Sequence, residues 1–407
     1  EDARLIPFGQ ELNPESYAVC NSDMLIKGQD PNNIVHGNSF SNDGFSDKNF
    51  DYMLSNPPFG VSWKKVKDQI EKEHEEQGFD GRFGAGTPRV SDGSLLFLQH
   101  MISKMKPQQD GGSRLAIVFN GSPLFTGGPN SGESNIRRWI IENDWLEAII
   151  ALPDKLFYNT GIHTFIWVVS NRKPKERQGE IQLVDGCDLY DEMRGNLGGK
   201  SHELSEGHIN KLTKSFGEFR ESERSKILSN KEFGYRRIAV DQPLRLSFKA
   251  TEQRIESLSD ERAFTNRSEE TQEAVKDALL KLDSETVWKD AEEFHKIIRE
   301  QFSQEGIEVR KSVHNAIERA LGKRDSEAEI VTNSKGEPEH DSDLRQYERV
   351  PLGRDVQEYF EEEIQPYLPE CWINNDSRYY DDQDGELGQV GYEINFDRYF
   401  FDVCVYP

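Results

Sequence analysis

The chain has 407 residues, enough for two or three domains, and 35% of them are hydrophobic, so it can bury a sizeable core despite a mean hydropathy of −0.78. No apolar run approaches the roughly 20 residues that a membrane span needs, and no basic and then apolar leader opens the sequence. The cysteines lie far apart without CxxC spacing, which argues against a zinc site and indicates reduced thiols: Cys20, Cys187, Cys371 and Cys404. We therefore expect a cytoplasmic protein that holds no metal.

The acidic excess is concentrated near the C-terminus. The net charge is −24, and the residues from Asp325 onward contribute 22 acidic and 6 basic side chains, which leaves −8 for the first 324 residues. Proteins that follow nucleic-acid phosphates normally carry basic clusters, because neutralised phosphates release counterions. The sequence shows no such cluster, so any action on DNA is expected to depend on a partner for most of the binding. The acidic tail predicts a solvated, mutually repelling surface.

The first 60 residues predict three short strands and one helix. Asn13 and Pro14 fit an N-cap followed by proline at the first helical position, where the missing N–H costs nothing. Gly28 can end that helix. The predicted strands are residues 4–8, 33–36 and 50–54.

The next 110 residues alternate between strands and helices after a long predicted loop at residues 61–90. The predicted elements are a helix at 94–106, a strand at 115–119 that we expect to be buried on both faces, a helix at 135–143, and strands at 146–152 and 163–170. This alternation predicts an α/β fold with a parallel, doubly wound sheet. Ligands of such sheets bind at the carboxyl ends of the strands, where the polar motifs of this sequence lie.

The composition predicts five segments. We expect a nucleotide-binding core at residues 1–172, a mixed α/β extension at 173–262, a helical segment at 263–330, a polar linker at 331–346 and an acidic, aromatic-rich segment at 347–407.

The motif Asn56-Pro57-Pro58-Phe59 follows the third predicted strand. It can be a simple strand-ending turn. It also fits the chemistry of an exocyclic ring amine, which is a poor nucleophile because its lone pair is delocalised. The Asn56 side-chain oxygen and the Pro57 carbonyl could accept its hydrogens, with the prolines fixing the direction, and Phe59 could stack on a base flipped out of a duplex. Direct displacement at a sulfonium methyl then needs positioning and no general base.

Residues 51–59 resemble the catalytic motif of amino-group methyltransferases, in which (N/D/S)PP(F/Y) follows a strand. The form that begins with Asn is similar to enzymes that methylate adenine N6 or glutamine N5, whereas cytosine N4 enzymes usually begin with Ser. The resemblance places Glu11 where these families bind the cofactor ribose, although an acidic residue at a helix start is the simpler interpretation. Asn38 lies where they commonly carry Asp beside the cofactor adenine, although a plain turn residue fits equally well.

A further segment resembles part of the target-base pocket of related enzymes. It comprises Phe157, Asn159 and Thr160 between the last two predicted strands, where ordinary loop chemistry is an equal alternative.

The order of several motifs resembles the methylation subunit of type I restriction-modification enzymes. These motifs are GQELNP, LSNPPFG, SDGSLLFLQHMI, RLAIVFNGSPLF, FYNTGIHTFIWVV, YRRIAVDQPLR, YERVPLGRDVQEYF and GYEINFDRYF. The resemblance covers nearly the whole chain and is weakest at residues 268–335. It implies a Rossmann-like class I methyltransferase sheet, S-adenosylmethionine as cofactor, adenine N6 in DNA as target, a specificity subunit, a restriction subunit, and two copies of this subunit in each complex.

One feature of that family is missing. Its cofactor-binding glycine loop should precede Glu11 by one strand and one helix, so we expect an N-terminally truncated chain that binds S-adenosylmethionine weakly or not at all. Two alternatives remain open: a stand-alone methyltransferase acting on another substrate such as a protein glutamine, and a non-catalytic assembly subunit.

Overall fold

The computed structural model describes residues 5–158, 160–333 and 335–400. In these residues the strands are β1 (Gly9–Glu11), β2 (Ile34–His36), β3 (Tyr52–Ser55), β4 (Arg114–Phe119), β5 (Leu146–Leu152), β6 (Thr164–Ser170), β7 (Glu180–Asp185), β8 (Asp191–Leu197), β9 (Lys200–Glu203), β10 (Ser225–Ser229), β11 (Gly234–Asp241), β12 (Leu246–Phe248), β13 (Gly322–Arg324), β14 (Gln346–Pro351), β15 (Trp372–Ile373) and β16 (Gln389–Tyr392). The α/β fold class is confirmed.

The helices vary from single turns to 14 residues. They are α1 (Pro14–Ile26), α2 (Lys67–Gln77), α3 (Ser94–Ser103), α4 (Ser122–Phe125), α5 (Gly132–Glu142), α6 (Glu206–Glu218), α7 (Glu252–Glu256), α8 (Arg262–Thr265), α9 (Glu269–Leu280), α10 (Ala291–Gln304), α11 (Lys311–Leu321) and α12 (Val356–Tyr359). As predicted, Asn13 caps α1, because its side-chain oxygen accepts hydrogen bonds from the backbone N–H groups of Glu15 and Ser16. No helix of the described residues is long and apolar enough to span a membrane.

The chain divides into two compact units. The first runs to Arg237 and includes Pro351–Gly353 and the segment from Gln389 onward, and the second comprises Ile238–Val350 and Arg354–Gly388. These bounds differ from the predicted ones, because the structure joins the first part of the predicted extension to the core.

The first unit contains a six-stranded sheet in the order β10-β7-β5-β6-β4-β3. The prediction of a parallel sheet was wrong for this sheet, which is mixed. β6 lies antiparallel between β4 and β5. The segment between β5 and β6 is too short for the crossover that a parallel neighbour requires, so the chain returns in the opposite direction. β7 and β10 come after the predicted core in the sequence, and they add two strands to this sheet on the side of β5.

Helices α3 and α5 cover one face of the six-stranded sheet with a continuous apolar cluster. Its members include Leu98, Ile102, Leu115, Ile117, Phe119, Ile136, Ile140 and Trp167. The opposite face is less covered at β4, where alternate residues are only half-buried. The prediction that this strand is buried on both faces was therefore wrong.

The strands β1 and β2 pair in parallel in a small sheet of their own. The aromatic ring of Phe8, directly before β1, lies 5.6 Å from that of Phe50, two residues before β3, and 5.7 Å from that of Phe45. This aromatic cluster brings the starts of β1 and β3 together within the first unit. The predicted strand at residues 4–8 was wrong, because the strand begins at Gly9.

The segment at residues 61–90 contains α2, so the prediction of a long loop was wrong. α2 has a single buried residue, Ile70, and therefore shows no apolar period. Ion pairs between side chains four residues apart, Lys67 with Glu71 and Lys72 with Glu76, support the helix instead.

The second unit has its own core of helices. Apolar residues at helical spacing, which the sequence predicts to face inward, are buried in one cluster: Val275, Leu279, Phe294, Ile298, Val313, Ile317 and Leu321. The predicted linker is bonded within this unit, since the Arg324 guanidinium donates two hydrogen bonds, of 2.6 and 2.8 Å, to the buried Asp341 carboxylate.

Candidate functional site

Three loops of the first unit lie at one edge of the six-stranded sheet. β3 and β4 run parallel, and β6 runs antiparallel to both β4 and β5. The carboxyl ends of β3, β4 and β5 therefore meet at the same edge. This edge carries Asn56–Phe59 after β3, residues 120–122 after β4, and the segment with Phe157 and Thr160 after β5.

The residues Asn56–Phe59, which we call the catalytic corner after the role that the sequence predicts for them, have hydrogen-bond acceptors without a donor among the described residues. Asn56 is exposed and Pro57 is buried. No described residue donates a hydrogen bond to the Asn56 side chain or to the Pro57 carbonyl. Pro58 is exposed and Phe59 is half-buried. The arrangement can accept two hydrogen bonds from an incoming amine beside an accessible aromatic ring.

Asp51, which begins the motif in the sequence, lies at the opposite end of β3. Its carboxylate accepts a hydrogen bond of 2.6 Å from the Lys106 ammonium, and this bond holds the pKa of Asp51 below its usual range. Asp51 is therefore separated from the edge that carries the catalytic corner.

Glu11 and Asn38 lie together at the carboxyl ends of the parallel strands β1 and β2. The Glu11 carbonyl accepts a hydrogen bond of 3.0 Å from the Gly37 N–H. One Glu11 carboxylate oxygen accepts from the Asn13 N–H at 2.7 Å, as expected of an acidic residue at a helix start, and no described residue donates to the other oxygen. Glu11 thus supports the helix and keeps one oxygen for a ligand.

The residues Asn38–Phe40, which we call the Asn38 turn, fix the Asn38 side chain. Its oxygen accepts a hydrogen bond of 2.9 Å from the Phe40 N–H. The amide NH2 donates to no described residue. The side chain thus offers two donors, and a ring nitrogen of an adenine would accept from them.

Arg82 holds the Asn38 turn, and sequence reasoning missed it. Its guanidinium donates hydrogen bonds of 2.8 Å each to the carbonyls of Ser39 and Phe40, and it pairs with Glu73 at 2.6 Å. Burial alone would raise the pKa of Glu73, but the hydrogen bonds from Arg82 outweigh it and lower that pKa. The sequence gives no local signal for this contact, because the bonded groups lie 42 or more residues apart.

His100 completes this buried network. The imidazole Nδ1 lies 3.3 Å from the Arg82 guanidinium, and Lys104 in the following turn pairs with Asp43. Burial lowers the pKa of His100 to about 4, and the nearby cations Arg82 and Lys104 act in the same direction against Asp43 and Glu73. The imidazole is therefore neutral at pH 7 and can accept from Arg82.

The predicted target-base segment forms a narrow turn at the sheet edge. Phe157 and Thr160 pair across it, and both are half-buried. The Tyr158 carbonyl accepts a hydrogen bond of 2.8 Å from the Gly199 N–H. Asn159 lies outside the described residues, and the role of this segment stays a prediction.

Two polar side chains at the same edge were not singled out in the sequence. Phe119 of β4 pairs with Phe165 of β6, and Asn120 and Thr164 are the residues next to this pair on the side of the edge. Asn120 Oδ1 and Thr164 Oγ1 are buried without a hydrogen-bond partner among the described residues. An unpaired buried polar atom costs about 1–3 kcal/mol, so these atoms mark a place where a ligand or water can bind. The signal was present in the sequence, as an Asn directly after an apolar strand.

The residues around β1 and β2 fit a nucleoside cofactor. A free carboxylate oxygen suits ribose hydroxyls, and a free amide donor suits a purine nitrogen. A separate groove of about 560 Å³ runs along α1 between Glu15 and Gln29 and contains none of the predicted site residues. Among the described residues, no three His, Cys, Asp or Glu side chains are grouped to hold a metal.

The sequence of this chain matches a known protein family and several characterised relatives of that family. The model of the N-6 DNA Methylase family matches residues 1–239. The MjaIX type I restriction enzyme methylase subunit of Methanocaldococcus jannaschii is 28% identical over 241 residues, which are 57% of this chain and 39% of that protein. The HindI methylase subunit of Haemophilus influenzae is 32% identical over 179 residues, 44% of this chain and 37% of that protein.

Among solved structures, the type I restriction-modification methyltransferase subunit of Streptococcus thermophilus is similar to this chain. It is 24% identical with a TM-score of 0.47, over 56% of this chain and 45% of that one. The aligned part thus spans about two fifths of the curated relatives' length. Because the family model matches more than half of the 407 residues, the chain belongs to the N-6 DNA methylase family.

Proposed function

We propose that the chain is part of the modification subunit of a type I restriction-modification enzyme, which transfers a methyl group to adenine N6 in DNA. The observation that carries the proposal is the catalytic corner. It places two unoccupied acceptors, the Asn56 side-chain oxygen and the Pro57 carbonyl, at the carboxyl edge of the sheet.

The catalytic corner can activate the adenine amine by binding its hydrogens. Two accepted hydrogen bonds favour the geometry in which the nitrogen lone pair leaves conjugation with the ring. The prolines fix the carbonyl direction before the substrate arrives, so little reorganisation is required. The half-buried Phe59 ring can stack on the flipped base. Asn120 directly follows the neighbouring strand β4, and its unpaired Oδ1 can receive a further polar group.

S-adenosylmethionine, when bound, supplies the electrophilic methyl group. Glu11 would hold the ribose hydroxyls with its free carboxylate oxygen. Asn38 would donate to an adenine nitrogen from an amide whose orientation the Asn38 turn fixes. The direct displacement needs no metal and no general base at the reacting nitrogen.

The proposed partners are DNA, a specificity subunit and, for cleavage, a restriction subunit, with two copies of the modification subunit in each complex. The acidic chain supports this division of labour, because a net charge of −24 disfavours independent binding along DNA phosphates. Methylation of a protein glutamine is the second candidate, because the Asn-first motif also occurs in such enzymes. The match to a DNA methylase family favours the first candidate.

The test is a methylation assay on the intact gene product, alone and with its specificity subunit. Labelled S-adenosylmethionine and unmethylated genomic DNA are supplied, and the digested nucleosides are separated. We expect N6-methyl-2′-deoxyadenosine only when the specificity subunit is present. Label in protein glutamine would support the second candidate, and absence of label from both substrates would contradict catalysis.

A further inference from the structure

We propose that Lys64 and Lys65, together with Arg89, bind backbone phosphates of the DNA strand that carries the target adenine. This inference rests on the proposed function, because it takes DNA to be the substrate. It assigns a DNA contact to a segment that the sequence suggested to be a plain loop. We call these three residues the cationic strip.

The lysines of the cationic strip follow the catalytic corner closely in the sequence. Lys64 follows Phe59 by five residues, and both Lys64 and Lys65 are exposed. Phosphates that flank a flipped nucleotide lie beside the base pocket, so cations at this distance along the chain are suitably placed to hold them.

The segment that carries the lysines is held firmly. Trp63 is 4% exposed and packs with Phe40, Ile70, Phe83 and Leu96. Its indole N–H donates to the Arg89 carbonyl at 3.0 Å, and its backbone N–H donates to the Val90 carbonyl at 3.1 Å. These contacts fix the backbone that carries the lysines, which lowers the entropy lost on binding.

The charges of the two lysines are unpaired. Within the described residues, no carboxylate lies within 4.0 Å of the Lys64 or Lys65 ammonium, although exposed Asp68 follows in the next turn. Lys67, by contrast, pairs with Glu71 at 3.3 Å. In a chain with 74 acidic residues these two adjacent lysines keep unpaired charges, and a phosphate partner would complement them.

Arg89 connects the lysines to the sheet edge. Its guanidinium donates a hydrogen bond of 2.8 Å to the Ser122 hydroxyl, two residues after Asn120, and lies 3.7 Å from Asp92. The side chain is 50% exposed. The guanidinium thus has donors left for a phosphate oxygen, while Ser122 fixes its position beside the end of β4.

The test compares two double variants of the assembled enzyme. Lys64→Gln/Lys65→Gln removes the unpaired charges, and Lys175→Gln/Lys231→Gln removes two exposed lysines at the opposite sheet edge, after β6 and β10. DNA affinity is measured from about 50 to 200 mM salt, with a duplex that the wild type methylates and an unrelated duplex of the same length.

We expect the first double variant to bind both duplexes more weakly, with the slope of log affinity against log salt reduced by about 0.9 for each lost phosphate contact. The control should keep the wild-type slope. An unchanged slope in the first variant, with wild-type methylation intact, would overturn only this inference. A wild type that does not methylate DNA would instead contradict the proposed function. Thermal unfolding of both variants separates lost contacts from misfolding.

Discussion

The catalytic corner and the Asn38 turn each need a fixed conformation, and they obtain it in different ways. The catalytic corner is fixed by covalent geometry, because two prolines restrict its backbone, and no described residue donates a hydrogen bond to the Asn56 side chain or the Pro57 carbonyl. The Asn38 turn has no proline and is held by hydrogen bonds from Arg82, which itself depends on Glu73 and His100. Both loops follow short parallel strands within the first unit.

This difference indicates where each loop is vulnerable. Replacing Asn56 of the catalytic corner should change chemistry and leave stability almost unaffected, because its side chain is exposed. A substitution in the network around the Asn38 turn should lower stability first, because it leaves buried charges without partners. The following predictions test this contrast.

The largest expected effect is that of Asn56→Ala in the intact enzyme. Turnover should fall by at least about 100-fold, the usual scale for losing one positioned hydrogen-bonding group in an active site. The free energy of unfolding should change by less than about 0.5 kcal/mol, because the side chain is exposed. Single-turnover methylation and urea unfolding measure the two quantities, and calorimetry follows cofactor affinity. An equal loss of cofactor affinity would make Asn56 a structural residue.

Arg82→Ala, in contrast to Asn56→Ala, should mainly lower stability. We expect the free energy of unfolding to fall by about 3 kcal/mol, because Glu73 is left largely buried without its cation. The double variant Arg82→Met/Glu73→Leu should recover much of this stability in urea unfolding. It should still bind S-adenosylmethionine weakly, since the Ser39 and Phe40 carbonyls stay without their donor. A stable single variant would contradict the role of the network.

The same network should make stability depend on pH. In the unfolded chain His100 takes up a proton near pH 6.5, whereas in the folded chain it does so only near pH 4. Stability present above pH 6.5 is therefore lost as the pH falls toward 4, by about 2 kcal/mol at pH 5. His100→Gln should reduce the difference in the free energy of unfolding between pH 7 and pH 5, measured in urea, by about this amount. If the His100→Gln variant kept the wild-type pH dependence of the free energy of unfolding, other groups would be its cause.

The smallest effect should come from the surface of α2. Lys67→Gln removes the exposed pair with Glu71 and should cost less than about 0.5 kcal/mol in urea unfolding. A loss comparable to that of Arg82→Ala would mean that α2 depends on its surface pairs, not on Ile70 and the Glu73–Arg82 contact.

Much of the first unit could be predicted from local patterns. The apolar runs at Leu146–Leu152 and Leu115–Phe119 indicated β5 and β4, and Asn13 with Pro14 indicated the start of α1. Prediction failed at α2, whose single buried residue gives no apolar period. It also failed for the order of strands, because sheet neighbours far apart in sequence leave no periodic signal.

The sequence by itself determined the catalytic corner, since proline geometry and the preceding strand are local properties. It also determined which residues form most of the strands. Only the tertiary structure decided that β6 lies between β4 and β5, that Asn120 comes to the edge carrying Asn56, and that Arg82 holds the Asn38 turn. These outcomes depend on pairings between distant segments, whose energies come from burial and hydrogen bonding in the folded state.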